Sequence, residues 1–169
     1  MKKNIYLWTG NGAGKTTSAL GAALRCAGHK KKSVIIQFMK GRRNIGEVLI
    51  EKKLKPYYEI HQFGRKGWVD LKNPSGTDVE NAYKALTFAV QASKKKPYLI
   101  VLDEINLAAA AGLLKIDDAV KAVELISKNS IVYLTGRRAP RKLIGIAGFV
   151  NRIDEVRKMK QKARQGIEY

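Results

Sequence analysis

The stretch Ile5-Tyr6-Leu7-Trp8-Thr9-Gly10-Asn11-Gly12-Ala13-Gly14-Lys15-Thr16-Thr17 decides how this chain is read. Ile5–Trp8 is short and apolar, the pattern of a buried strand. A glycine-rich turn follows, and a helical pattern over Lys15–Ala27 starts at once. Strand, glycine-rich loop and helix in this order form a phosphate-binding P-loop. Glycines let successive backbone N–H groups turn inward and let phosphate oxygens approach the chain. The helix N-terminus adds partial positive charge. Lys15 is placed to contact phosphates, and the Thr16 hydroxyl to ligate Mg²⁺. The usual spacing puts the first glycine at position 9, but that residue is Thr9 and the glycine is Gly10. The loop is therefore one residue tighter than the common form. The expected nucleotide contacts are Gly10, Asn11, Gly12, Ala13, Gly14, Lys15, Thr16 and Thr17.

A second segment completes such a site. Tyr98-Leu99-Ile100-Val101-Leu102-Asp103-Glu104 is an apolar run ending in two carboxylates. A carboxylate at the C-terminal edge of a parallel strand faces the ligand crevice. Asp103 and Glu104 are thus candidate metal ligands beside Thr16. Asn106 lies two residues on and can present an amide to the same crevice.

Outward from these motifs, short apolar runs alternate with helical patterns. Val34–Phe38, Leu99–Leu102 and Ile131–Leu134 read as strands, with Tyr58–Phe63 and Phe149–Val156 as weaker ones. Thr77–Lys95, Ile116–Lys128 and Arg141–Ala147 read as helices. Gly28 is expected to stop the first helix. Thr77 is expected to cap the second, with Glu80 completing a capping box. Repeated β-then-α order predicts an α/β fold with a mostly parallel sheet covered on both faces. The stretch 39–76 is irregular and rich in Gly and Pro, as functional loops often are.

The chain has 169 residues, which fits one P-loop nucleotide-binding domain over 1–169. Its 45% hydrophobic and 28% charged content rules out wholesale disorder. One cysteine, Cys26, excludes an internal disulfide framework, and two histidines make a His-rich metal site unexpected. Cys26 falls inside the first predicted helix, His29 at its end and His61 on a strand. No stretch reaches the ~18 apolar residues of a membrane span. The N-terminus lacks the pattern of a signal peptide, so a cytoplasmic location is expected. Lys plus Arg is 33 against 14 Asp plus Glu, a net charge of +19. That excess is an electrostatic footprint of nucleic-acid binders, and equally suits a phosphate-rich ligand or an acidic partner. Lys30–Lys32 and Lys94–Lys96 read as solvated turns. Arg157, Lys158, Lys160, Lys162 and Arg164 form a basic tail that either covers the nucleotide or is solvated.

The motifs together resemble the P-loop type of ATP:corrinoid adenosyltransferase, a family of cobalamin biosynthesis. The resemblance rests on the tight Gly10–Thr17 loop, on Gln37-Phe38-Met39-Lys40-Gly41 and on Leu102-Asp103-Glu104-Ile105-Asn106. It continues through Leu134-Thr135-Gly136-Arg137-Arg138-Ala139-Pro140 and the closing Gly166-Ile167-Glu168-Tyr169. It implies a three-layer α/β/α fold of the RecA-like type, usually homodimeric. It implies transfer of the 5′-deoxyadenosyl group of ATP to Co(I) of a reduced corrinoid, with release of triphosphate. In this family ATP lies reversed in the loop relative to ordinary ATPases. The resemblance further implies Mg²⁺, with Mn²⁺ as an alternative, and an electron-donor protein. It makes Lys40 and Arg137 phosphate contacts, and it makes 39–76 a corrinoid-facing segment. No nucleophilic side chain is needed, because Co(I) is the nucleophile.

Two departures stand out. Ala13 stands where the family commonly carries Lys. The family's Gly-x-Gly-Phe-x-Trp segment is here Phe63-Gly64-Arg65-Lys66-Gly67-Trp68-Val69-Asp70. Such aromatics help displace the corrinoid's lower ligand, so Phe63 and Trp68, or another ring such as Tyr57, are expected in that part. Phe63 and Trp68 are equally readable as core aromatics. Two other functions fit some residues: a RecA-like nucleic-acid-dependent ATPase, and a nucleotide- or corrinoid-binding module without turnover. The scarcity of stacking aromatics argues against the first, so a nucleic-acid partner is not expected.

Overall fold

The computed structural model describes residues 4–67, 69–157 and 162–167. The apolar runs form strands β1 (Ile5–Thr9), β2 (Ser33–Phe38), β3 (Tyr58–Phe63), β4 (Leu99–Asp103), β5 (Ile131–Thr135) and β6 (Phe149–Arg152). The helices are α1 (Lys15–Gly28), α2 (Gly46–Leu49), α3 (Glu51–Leu54), α4 (Gly76–Ser93), α5 (Ile105–Ala110), α6 (Ile116–Ser127) and α7 (Arg141–Ile146). The six strands make one sheet in the order β3-β2-β4-β5-β1-β6. Every pairing is parallel.

Alternation along the strands sends side chains to two faces. Ile5, Leu7, Val34, Ile36, Ile100, Leu102, Val132 and Leu134 point to one, where they pack with Ala82, Ala85 and Leu86 of α4, Val123 and Ile126 of α6 and Leu143 of α7. Ile35, Ile60, Leu99 and Val101 point to the other, where Ala19 and Ala23 of α1 cover them. Burying each such aliphatic side chain contributes about 1.5–3 kcal/mol. The result is the three-layer α/β/α arrangement expected from the sequence. Because all strands run the same way, the P-loop after β1 and the acidic end of β4 share one edge of the sheet.

Several local expectations shift. The capping box of α4 is present, but Ser75 is the cap and Asp78 its partner, not Thr77 and Glu80. Asp78 N–H donates to Ser75 Oγ at 3.2 Å, and Ser75 N–H donates to Asp78 Oδ2 at 3.2 Å. The box thus sits two residues upstream, where Ser75 has the extended backbone that a cap requires (φ −71°, ψ 158°). Gly28 is the last residue of α1, but the left-handed turn comes at Lys30 (φ 55°). β6 ends at Arg152 rather than Val156. The apolar run after Glu104 forms the short helix α5, which has no sequence cap to announce it. Within 39–76, α2 and α3 each last four residues. Backbone crowding opens this segment: a Cβ on Gly64 would lie 2.4 Å from the Met39 carbonyl carbon. Only glycine allows the loops after β2 and β3 to touch there.

The capping box gives a direct check. Ser75→Ala should lower stability by about 1 kcal/mol in urea unfolding, with no change in m-value.

Candidate functional site

On four adjacent strands the column of side chains facing α1 turns from apolar to polar toward the C-terminal end. In β2 it runs Ile35 then Gln37, in β3 Ile60 then Gln62, in β4 Val101 then Asp103, and in β5 Tyr133 then Thr135. The registers set Gln37 opposite both Gln62 and Asp103. The parallel sheet therefore lines its C-terminal edge with hydrogen-bonding groups directly above an apolar layer.

Asp103 is fully buried and is the centre of this row. Thr16 Oγ1 and Thr135 Oγ1 donate to its Oδ1 at 2.8 and 2.6 Å. Lys40 Nζ and Gln37 Nε2 donate to its Oδ2 at 2.7 and 3.0 Å. Gln37 Oε1 accepts in turn from Gln62 Nε2 at 2.8 Å. Burial alone would raise the Asp103 pKa, but the Lys40 charge and the bonds from Lys40, Thr135 and Thr16 outweigh it and hold the carboxyl below its usual range. Burial likewise works against the Lys40 ammonium, but Asp103, Glu104 and Glu47 hold it above its usual value. Both groups are charged at neutral pH.

The neighbouring carboxylate differs. Glu104 has φ 68°, in the left-handed region, as do Met39 after β2 (φ 58°) and Arg138 after β5 (φ 55°). Such backbone costs of order 1 kcal/mol per residue and recurs at functional edges. Glu104 Oε2 is buried with no hydrogen-bond partner in the protein. Burial, then the charge of Asp103, raises its pKa, while Lys40, Lys15 and Arg137 oppose. Lys15 is buried, and its ammonium donates to the Gly12 carbonyl. Burial, then the charge of Arg137, lowers its pKa, and Glu104 opposes. Lys15, Arg137, Glu104, Lys40 and Asp103 thus share one electrostatic neighbourhood, while the Arg137 side chain stays exposed.

The P-loop glycines have a further duty that sequence alone does not announce. Gly12 N–H donates to Ile153 O at 2.9 Å, and a Cβ on Gly10 would lie 2.2 Å from that oxygen. The chain after β6 thus presses on the loop. Asn11, Ala13 and Thr17 are exposed at its rim. Gly166 and Ile167 line a depression together with Thr16, Thr17 and Lys40. Lys40 and Glu47 also line a second depression with Met39, Gln62, Arg65 and Lys66.

The remaining expected residues fall as follows. Asn106 is buried; its Nδ2 donates to Trp8 O at 3.0 Å and to Gly136 O at 3.2 Å, pinning β1 to the end of β5. Phe63 is half-buried, its ring 5.5 Å from that of Phe88. Trp68 lies outside the described residues, as do Lys158 and Lys160 of the basic tail. Tyr57 precedes β3 and therefore lies at the opposite edge of the sheet from the P-loop. Cys26 is within α1, His29 follows it, and His61 on β3 contacts Glu59 at 2.7 Å. Thr135, Gln37 and Gln62 are site residues that the motif reading did not assign. Their signal was the polar last position of each α1-facing column.

Lys40→Met leaves Asp103 as a buried charge without its ion-pair partner. It should cost about 3 kcal/mol in ligand-free protein at pH 7. Lys40→Met with Asp103→Asn should recover most of that loss, because no buried charge is then left unpaired. Asp103 has a depressed folded pKa, so its contribution is present above its unfolded pKa and is lost as pH falls through the folded one. The deficit of Lys40→Met should shrink in that acid range. Urea unfolding of the three proteins across pH checks all of this.

Comparison with known proteins identifies the family. The family described as ATP:corrinoid adenosyltransferase BtuR/CobO/CobP matches residues 1–169. The corrinoid adenosyltransferase of Pseudomonas aeruginosa is 30% identical over 169 residues, covering 98% of this chain and 83% of that protein. Corrinoid adenosyltransferase CobA of Salmonella typhimurium is 31% identical over 174 residues, covering 98% and 85%. The Escherichia coli corrinoid adenosyltransferase is 30% identical over 170 residues, with the same coverage. With its P-loop, buried aspartate and Thr-Gly-Arg segment on one sheet edge, the chain belongs to the ATP:corrinoid adenosyltransferase family and is a transferase.

Proposed function

We propose that the Asp103 crevice binds the triphosphate of ATP and that 5′-deoxyadenosyl passes from it to Co(I) of a reduced corrinoid. The observation that carries this is the direct contact of Thr16 with Asp103 at the mouth of the P-loop. The cobalt lone pair attacks C5′, the C5′–O5′ bond breaks, and triphosphate leaves with the bonding electrons. No protein nucleophile takes part. The chain's work is to bind, orient and neutralise. Lys15 and Arg137 face the developing negative charge, with Lys40 beside them. Gly10–Thr17 supplies loop amides and the positive end of the α1 dipole.

The donor set suits Mg²⁺. Thr16 and Asp103 offer hard oxygens, and Glu104 keeps a buried carboxylate oxygen free of protein partners. Among the described residues no cluster of three or more acidic, His or Cys groups could cage a metal. That fits an ion held mainly by phosphate and water. Bound there, Mg²⁺ would neutralise leaving-group charge. The segment 39–76 forms the corrinoid side, with Phe63 and Trp68 as its aromatics. The C-terminal residues Gly166 and Ile167 cover the nucleotide side. A homodimer, an electron-donor protein and a cytoplasmic location complete the proposal. No helix among the described residues is long and apolar enough to cross a membrane.

Anaerobic mixing with ATP, Mg²⁺ and chemically reduced corrinoid should yield a light-sensitive cobalt–carbon product, followed by visible absorption. Absence of that product overturns the proposal. Lys15→Ala should lower kcat/KM about 100-fold, the size found for removing one preorganised donor at developing charge. An unchanged value would remove Lys15 from this role.

A further inference from the structure

The +19 charge far exceeds what one triphosphate requires, and the fold gathers part of the excess at one place. In an all-parallel sheet every residue that precedes a strand lies on the same edge. Lys30–Lys32 precede β2, Lys94–Lys96 precede β4 and Lys128 precedes β5. All seven are exposed. They therefore crowd the edge opposite the P-loop and Asp103. Lys31, Lys32, Lys96, Tyr98, Lys128 and Asn129 line a single depression there. The neighbouring depression on that edge includes Lys32, Lys95 and Glu59. Among the described residues Glu59 is the one carboxylate lining either, and Lys32 Nζ lies 2.7 Å from it.

The surface is also held in shape. Tyr98 N–H donates to Lys32 O at 2.9 Å, and Ile131 N–H donates to Tyr98 O at 3.0 Å. Ser130 Oγ donates to Pro97 O at 2.7 Å. These bonds fasten the turns before β2, β4 and β5 together. Tyr98 is 44% exposed in the middle, and Lys31 Nζ sits 4.0 Å from its ring centroid.

We infer that this edge is a docking surface for single-stranded nucleic acid, separate from the adenosyl-transfer site. Exposed lysines on tethered turns before adjacent strands, about 4.8 Å apart per strand, offer a row of charges to a phosphate backbone. An exposed ring among them offers a stacking platform for a base. A protein partner fits less well, because lysine is depleted from the cores of protein interfaces. An electron-donor protein is excluded on position: it must reach the corrinoid, and this edge is at the far end of the strands. Sequence alone reads these runs as solvated turns and predicts no nucleic-acid partner, because the strand order that gathers the lysines around Tyr98 is not visible in it.

The test is fluorescence anisotropy of labelled 20-nucleotide oligo-dT and oligo-U with the whole chain, without ATP or corrinoid. Binding should weaken with salt, with a log–log slope of about −3. Replacing Lys31, Lys32, Lys95 and Lys96 by Gln should lower affinity at least tenfold and flatten the slope. Replacing Lys72, Lys84, Lys115 and Lys121 by Gln removes the same charge elsewhere and should change affinity less than threefold. Tyr98→Ala should lower affinity about fivefold or more with the slope unchanged. Equal losses in the two lysine variants, or no binding, would overturn the inference. So would polyglutamate or anionic vesicles binding as tightly as the oligonucleotides. Circular dichroism confirms folding of each variant, and adenosyl transfer by the Lys31, Lys32, Lys95 and Lys96 variant should be unchanged.

Discussion

A buried carboxylate with four donors organises this molecule. Asp103 cannot sit uncompensated beneath the sheet edge, because an unpaired charge there would cost several kcal/mol. Its partners come from α1, the end of β2, Lys40 two residues beyond it and the end of β5. Satisfying one side chain therefore fixes where four chain segments meet. The P-loop threonine, the Lys40 ammonium and the β5 terminus are held by the same two oxygens. That arrangement makes the crevice a preorganised electrostatic site rather than a collection of loops.

The parallel sheet makes this possible. It aligns the strand ends, and its register places Gln37 beside Asp103. The tight loop then works against a neighbour: Gly10 and Gly12 admit the Ile153 backbone. Left-handed backbone at Met39, Glu104 and Arg138 turns the chain sharply away from the sheet after β2, β4 and β5. Each of these features spends local backbone comfort on the shape of one crevice edge.

Much of this was legible beforehand. The P-loop and the acidic strand end carry strong local signals, since their chemistry depends on neighbours in sequence. Lys15, Thr16, Asp103 and Glu104, each named from such a signal, stand together at one end of the sheet, and the central strands β2, β4 and β5 fall within a residue of the apolar runs that predict them. The misses share a cause. Thr135, Gln37 and Gln62 act through cross-strand neighbours that only the register reveals. The Asn106 amide also ties Trp8 O to Gly136 O, and its bond to Trp8, 98 positions away, is a long-range contact that no local pattern announces. Tyr57 precedes β3, so its distance from the P-loop edge follows from strand direction, which the sequence does not state. The capping box shifted because Ser75-x-x-Asp78 competes with Thr77-x-x-Glu80, and helix patterns do not choose between them. The lysine runs gained meaning only once the strand order was known.

The account stands on the fate of the triphosphate. Phosphorus NMR of a reaction with ATP, Mg²⁺ and chemically reduced corrinoid reads it directly. Attack at C5′ predicts one intact triphosphate for each cobalt–carbon bond, with no ADP. ADP and orthophosphate accumulating instead would show hydrolysis at the γ-phosphate and contradict the assignment of this crevice to adenosyl transfer.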